Sequence, residues 1–289
     1  MNAVAALIND GKRLHLQHGP IDLIIEVTAT EQQVQKAYTR AIDCFSGLLE
    51  KLVEELALLR RPSGETALAE LNGSVARRMW TAASRFPGHF TTPMIAVAGA
   101  VADEVLQSIT SGLTLGRVLV NNGGDIALYL GPGQHTDIGV VANPGSGMLA
   151  AKVRLGEHDG IGGVATSGWQ GRSLSMGIAD SVTVVAADAA IADAAATLIA
   201  NAVALENCAV VEQQRACDID PDSDLGARLV TTRVGQLTDA EIFRALANGL
   251  DQAQRMKQHG NIVDAHLCLR HYYETTDRRE HSSKSIVQA

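Results

Sequence analysis

Two oxygen-bearing side chains, Asp193 and Thr197, lie four residues apart in a segment of small residues. In a helix this spacing places both on one face, so their oxygens can reach the same cation. Mg²⁺ suits such a pair, because it takes one or two protein oxygens and completes its shell with water and substrate phosphates. The alternative is that the Thr197 hydroxyl bonds back to its own helix and that no metal binds. The spacing alone favours this alternative.

A glycine-rich loop with two adjacent hydroxyls precedes that helix. Thr166 and Ser167 are candidate catalytic residues, and Gly168 beside them is a candidate nucleotide contact. Arg172 follows as a candidate phosphate ligand, and Asp180 as a candidate general base. Both also have a simpler interpretation, in which Arg172 is a surface arginine and Asp180 is a loop cap.

A second polar loop joins two apolar runs further upstream, and it contains Asn122, Gly123, Gly124 and Asp125. Glycines permit positive φ and let a ligand reach backbone amides, so these four residues are candidate cofactor contacts. Asn-Gly between apolar runs is also the strongest short signal of a β-hairpin, and the sequence alone favours the plain turn. If both loops bind one ligand, we expect them to border one cleft, because ligands bind at polar loops beside strand ends.

The elements that must position these loops mix strands and helices irregularly. Residues 21–27 have the apolar pattern of a strand, and residues 31–60 have the spacing of one long amphipathic helix. A helix over 93–109 contains Gly99, which costs about 1 kcal/mol in a helix interior and indicates close packing. Without regular βαβ alternation, these elements predict an α+β fold. We expect a mainly antiparallel sheet, with the helix over 189–204 packed beside the 93–109 helix.

The polarity of the chain changes near its C-terminus. Residues 1–273 contain no linker long enough to separate two domains, and we expect them to form a single domain. From Glu274 onward apolar side chains are few, so residues 274–289 are predicted to form a flexible polar tail.

The composition excludes several classes of partner. A net charge of −8 argues against a general nucleic-acid surface or an anionic membrane surface, because both need clustered Lys and Arg. The first residues form neither a basic leader nor a long apolar run, and no stretch reaches the roughly 18 apolar residues of a membrane helix. The 4 cysteines are scattered without paired spacing, as is typical of free thiols in a reducing compartment. We therefore predict a cytoplasmic protein that acts on a small molecule.

Four segments in a fixed order resemble the ApbE superfamily; they read VNNGGDI, VATSG, SVTVVA and ADAAATL. The resemblance extends from about Thr91 to Val203 and is strongest to an ApbE-like branch with a G-x-A-D-x-V-T-V segment before the last helix. It implies an ApbE-like, T-fold-related domain. ApbE proteins bind FAD and use Mg²⁺ to transfer FMN from FAD to a threonine of a target protein.

The resemblance also implies roles for individual residues. Asp193 and Thr197 would ligate Mg²⁺, together with a main-chain carbonyl near Val97. The loops at 122–125 and 165–168 would line a pocket for FAD or FMN. The transferases carry a lysine where this chain has Val97-Ala98-Gly99, and an H-I-I-D-P segment where it has SLSMGIAD.

Three functions follow from these observations. The first is Mg²⁺-dependent phosphoryl chemistry on a flavin nucleotide, either FMN transfer or FAD hydrolysis. The second is hydrolysis or isomerisation of a small metabolite, including a cyclic one, in the same pocket. The third is a flavin-binding carrier without catalysis, and each is compatible with a homodimer. The loss of the lysine and the histidine favours the last two over transfer.

Overall fold

In the computed structural model, residues 3–143 and 148–276 are described. The strands are β1 (Val4–Ile8), β2 (Arg13–His18), β3 (Ile21–Thr28), β4 (Arg117–Asn122), β5 (Asp125–Leu130), β6 (His135–Asn143), β7 (Met148–Gly156), β8 (Gly163–Ser167), β9 (Ser181–Ala186), β10 (Val211–Arg215), β11 (Leu229–Val234), β12 (Asp264–Leu269) and β13 (Tyr272–Thr275). The helices are α1 (Glu31–Phe45), α2 (Leu48–Glu54), α3 (Leu56–Leu59), α4 (Ser74–Ala83), α5 (Val97–Thr110), α6 (Ala189–Ala202), α7 (Ala216–Ile219) and α8 (Asp239–Gln258).

One sheet of nine strands runs through the molecule in the order β1-β2-β3-β4-β5-β8-β9-β12-β13. Every neighbouring pair in it is antiparallel. Strands β6 and β7 form a separate two-stranded sheet, as do β10 and β11. The predicted α+β fold with a mainly antiparallel sheet is therefore confirmed.

The main core lies between this sheet and the helices. Strand β3 alternates in burial, with Ile21, Leu23, Ile25 and Val27 buried, as expected for a strand with one face against helices. Helix α6 is buried over most of its length because its side chains are small and the neighbouring elements approach it closely.

Helices α5 and α6 pack against each other, as the small residues on both predict. At Gly99 a Cβ atom would collide with the backbone carbonyl of Ala189. Glycine lowers the stability of α5 at this position, but only its hydrogen leaves room for α6 to cross so closely.

The two helices also cap each other. Asp193 on α6 accepts a hydrogen bond from the Gly99 amide in the first turn of α5, at 3.0 Å. Asp103 on α5 accepts from the Ala189 and Ala190 amides that begin α6, at 3.1 and 2.9 Å. Amides in the first turn of a helix have no partner within the helix, so each carboxylate satisfies donors of the opposite helix.

Two predictions of local structure need correction. The helix predicted over 31–60 is three helices, because the α-helical backbone is interrupted at Gly47, whose φ is 75°, and again at Glu55, whose ψ is 4°. Glu274 and Thr275, placed in the predicted tail, pair with β12 as part of β13, whereas residues 277–289 lie outside the described residues. Within the described residues, no helix is long and apolar enough to cross a membrane.

Candidate functional site

Two adjoining chambers open beside the N-terminal end of α5 and one face of α6. The first chamber, of about 670 Å³, is bordered by the β4–β5 turn, strand β6, strand β8 and the loop after β8. The second chamber, of about 340 Å³, is bordered by residues 90–98 and by the acidic loop at 220–225. Both volumes are within the range of small-molecule sites.

The chambers share six lining residues, which we call the waist: Ala98, Asp125, Arg172, Ser173, Asp193 and Thr197. Asp125 begins β5, whereas Asp193 and Thr197 occupy successive turns of α6. The waist therefore brings together carboxylate, hydroxyl and guanidinium groups from three separate parts of the chain.

The waist is held by hydrogen bonds to the two polar loops. Asp125 accepts from the Thr166 amide at 3.3 Å, which ties the start of β5 to β8. Thr197 donates its hydroxyl to Ser167 Oγ at 3.5 Å, which links α6 to the same strand. The Thr166 hydroxyl lies 2.9 Å from that of Thr183 on β9. The hydroxyl pair 166–167 is thus fixed in place at the edge of the first chamber.

The β4–β5 turn lies against Arg172. Gly123 and Gly124 have φ of 65° and 119°, and the Asn121 side chain accepts from the Gly124 amide at 2.8 Å. A Cβ at Gly123 would collide with the Arg172 guanidinium. The missing side chain therefore leaves the space in which the guanidinium lies over the turn.

The waist concentrates acidic groups with high pKa values. Burial raises the pKa of Asp125 to about 7, and the Thr166 amide and the Arg172 charge oppose the rise. Burial, and then the charge of Asp125, raise the pKa of Asp193 well above its usual range. Arg172 is the cation that lowers the pKa of Asp125, and a second positive charge at the waist would favour ionisation of both carboxyl groups.

This donor set fits a hard cation that is only partly coordinated by protein. Two carboxylates and the Thr197 hydroxyl supply oxygens, and oxygens are the ligands that Mg²⁺ prefers. No cluster of three or more His, Cys, Asp and Glu side chains with metal-binding geometry occurs among the described residues. A cation here would therefore take further oxygens from substrate and water, as Mg²⁺ commonly does.

A family model described as AbpE bacteria matches residues 5–279, which is nearly the whole chain. The chain belongs to the AbpE bacterial family. The resemblance to the ApbE superfamily that the four motifs indicate is thereby confirmed.

Curated relatives of this AbpE family member carry the name UPF0280 protein. That of Methanothrix thermoacetophila is 34% identical over 161 residues, or 54% of this chain and 62% of the relative. That of Methanococcus vannielii is 42% identical over 116 residues, or 38% of this chain and 44% of the relative. The chain thus matches less than two thirds of the length of either relative.

Two solved structures are similar over most of the chain. The apo flavinyl transferase ApbE of Pseudomonas stutzeri has a TM-score of 0.43 and 13% identity, over 96% of this chain and 95% of that one. The apbe protein of Thermotoga maritima has a TM-score of 0.38 and 15% identity, over 86% and 76%. At TM-scores below 0.5, neither supports a conclusion about this chain.

In this AbpE family member, most of the predicted site residues come together. The first chamber is lined by nine of them: Gly123, Gly124, Asp125, Thr166, Ser167, Gly168, Arg172, Asp193 and Thr197. Their roles in binding and catalysis stay predictions. The carbonyl implied near Val97 corresponds in position to Ala98, which lies at the waist.

Two predicted residues lie outside both chambers. Asn122 is buried and donates to the Ala98 carbonyl at 3.0 Å, so it supports the waist from behind. Asp180 is 3% exposed and accepts from the Trp169 indole at 3.1 Å and from the Arg270 amide. These bonds join the loop after β8 to the β12–β13 turn. Asp180 therefore lies outside both chambers with its carboxylate bonded within the fold, and its role as a base stays a prediction.

The second chamber was not predicted from the sequence. Its walls include Phe90, Met94 and Met176, and Arg228 stacks on Phe90 with its guanidinium carbon 3.1 Å from the ring centre. Asp224 joins the acidic loop to the segment that precedes α5 by accepting a hydrogen bond from Thr92. No local signal in the sequence places this acidic loop opposite α6.

Proposed function

We propose that the cleft binds a flavin dinucleotide of the FAD type, with its pyrophosphate at the waist and one ring system in each chamber. The observation that carries this proposal is the shared waist, where two carboxyl groups and the Arg172 guanidinium lie between two chambers that each have part of their wall apolar, with Ile126, Ile138 and Val164 in the first and Phe90, Met94 and Met176 in the second. A dinucleotide has a matching arrangement of charged and ring-bearing parts, because its two ring systems flank a central anionic pyrophosphate. Membership of the AbpE family is compatible with a flavin nucleotide as ligand.

The proposal assigns the phosphate contacts to two groups, the Arg172 guanidinium and the Gly123 amide. The Arg172 guanidinium has two parallel N–H donors for phosphate oxygens. The Gly123 amide belongs to a two-glycine turn at the edge of the first chamber, in which the Gly124 amide is already donated to Asn121. Arg172 lies over this turn, so cationic and amide donors face the same part of the waist.

Asp193, Thr197 and Asp125 would hold Mg²⁺ beside the pyrophosphate. When bound, the ion would neutralise phosphate charge and stabilise the negative charge that develops as a phosphoanhydride bond breaks. Without a cation, two carboxylates at the waist would repel the pyrophosphate. The donor chemistry of the waist therefore supports a site that needs a divalent cation to bind a nucleotide.

We propose cleavage of the pyrophosphate as the reaction. Attack of an acceptor hydroxyl on the FMN phosphorus would break the bond to the bridging oxygen and release AMP. If the acceptor is water, the products are FMN and AMP. The proton of the attacking hydroxyl would pass to the bridging oxygen that leaves with AMP, and Asp125 would serve as a cation ligand at the waist.

Incubation of the full chain with FAD and Mg²⁺, followed by chromatographic separation of FAD, FMN and AMP, tests this function. We expect FMN and AMP in equal amounts, and their formation to be lost in Asp125→Asn. FAD that binds and stays intact, in the presence of candidate acceptor proteins as well, would support the carrier function. Absence of FAD binding would contradict every flavin-based function and favour the small metabolite.

A further inference from the structure

The reciprocal caps between α5 and α6 connect the waist to a carboxylate that lies outside it. Asp103 is 6% exposed and lines neither chamber, yet both of its oxygens accept amides from the residues that begin α6. Asp193 follows one turn later on the same helix and accepts the Gly99 amide of α5. Each helix thus carries the acceptor for the beginning of the other.

We propose that Asp103 is a positioning residue for the cation site: it holds the first turn of α6 against α5 and so sets the location of Asp193 and Thr197 at the waist. This inference rests on the proposed function, because it concerns the same site. Asp103 itself touches no ligand in the proposal. Its effect is transmitted through the helix, which is buried over most of its length.

Three observations indicate that Asp103 does more than cap the first turn of α6 locally. Helix α6 already has its own N-cap, since Asp188 accepts the Ile191 amide at 2.7 Å. The bonds from Asp103 are therefore additional, and they join two helices, whereas the bond from Asp188 stays within one. Gly99 allows the two helices to approach so closely that the caps can form in both directions.

The geometry leaves little freedom for compensation. Ala189 and Ala190 are buried, so their amides have no access to bulk water if Asp103 is removed. A small rotation of α6 that restores partners for these amides would also move Asp193 and Thr197. Residues that orient metal ligands from outside the ligand set typically contribute about 10- to 100-fold to metal affinity.

The test compares Asp103→Ala and Asp103→Asn with the matched control Asp188→Ala, which removes the local cap of the same helix. Isothermal calorimetry measures the affinity of each variant for ADP in the presence of Mg²⁺. We expect about tenfold weaker Mg²⁺-dependent binding in Asp103→Ala, a smaller loss in Asp103→Asn and less than a twofold change in Asp188→Ala. If Asp103→Ala does not fold, Asp103→Asn decides.

A second readout is independent of any ligand. Amide hydrogen exchange at Gly99 reports on the Asp193 carboxylate, and we expect faster exchange in both Asp103 variants than in Asp188→Ala. Equal exchange and equal affinity in the two groups of variants would overturn the positioning role. If the parent protein binds no ADP with Mg²⁺, the proposed function fails. In that case, unchanged exchange at Gly99 in the Asp103 variants would also contradict the idea that Asp103 holds α6 against α5. Faster exchange at Gly99 would support that idea and would reject only the role of Asp103 in a cation site.

Discussion

Asp125 and Asp193 face the same waist from the start of β5 and the second turn of α6, and the charge of Asp125 contributes to the raised pKa of Asp193. Two buried carboxylates this near to each other resist simultaneous ionisation. A proton or a divalent cation relieves the repulsion. The proposal of a cation-dependent nucleotide site rests on this relationship.

The binding of Mg²⁺ should therefore depend on pH. The folded-state pKa of Asp125 is about 7, so below that pH the cation must displace a proton that the carboxyl group holds. Affinity should rise with pH, by at least about tenfold per unit below pH 7, and should continue to rise for as long as Asp193, whose pKa is also raised, still holds its proton. Calorimetry with ADP between pH 5.5 and 8.5, in buffers of different ionisation enthalpy, measures affinity and proton release together. Affinity that does not change with pH would contradict a role for Asp125.

Arg172 should contribute directly to nucleotide binding. Replacement by Gln in Arg172→Gln removes a charge-assisted contact to phosphate, and we expect about 10- to 100-fold weaker binding of FAD with little change in melting temperature. Arg233→Gln is the control, because Arg233 forms an exposed ion pair with Glu212 and lines neither chamber. Equal affinities of the two variants would show that Arg172 is a surface arginine.

Gly123 should matter for two separable reasons. Gly123→Ala introduces a Cβ at positive φ and displaces the Arg172 guanidinium, whereas Gly133→Ala introduces the same backbone strain into open space. We expect both variants to lose roughly 1 kcal/mol of unfolding free energy in urea titrations. Only Gly123→Ala should also weaken FAD binding. A similar loss of affinity in Gly133→Ala would point to a general effect of turn strain.

Asp180 should be a structural residue. In Asp180→Asn, the amide group cannot accept from both the Trp169 indole and the Arg270 amide, so the melting temperature should fall by several degrees. The affinity for FAD and the rate of FAD cleavage should stay within about twofold of the parent, since the carboxylate lies outside both chambers. Loss of cleavage with unchanged stability would support Asp180 as the base.

Much of the fold can be predicted because local patterns agree with the final environment. Apolar residues alternate along strand β3 and recur at helical spacing along α8, as the buried face of each element requires. Thr238 and Glu241 form the capping box that begins α8. The interruption of the first long helix was missed, although Gly47 marks it, because the apolar spacing continues across the break. Strands β1 and β2 were also missed, since the apolar run of β1 is short and its side chains stay exposed.

In the candidate site, too, some features could be predicted from the sequence and others could not. The two polar loops could be associated because both follow strand ends, and the pairing of β5 with β8 brings them together. The position of Asp180 outside the chambers could not be predicted, because a polar residue before a strand has the same local sequence pattern whether it faces a cleft or a neighbouring turn. The second chamber depends on contacts between residues 92 and 224, and such a separation leaves no local pattern.

The most direct test of the central claim is calorimetric titration of FAD, with FMN and ADP in parallel, into the parent protein and Asp193→Asn, each with and without Mg²⁺. We expect the parent to bind FAD and ADP only with Mg²⁺, and Asp193→Asn to lose that dependence and at least about tenfold in affinity while its melting temperature stays near that of the parent. If Asp193→Asn instead binds FAD as the parent does but melts at a much lower temperature, Asp193 serves only to cap α5. The waist would then not be a cation site.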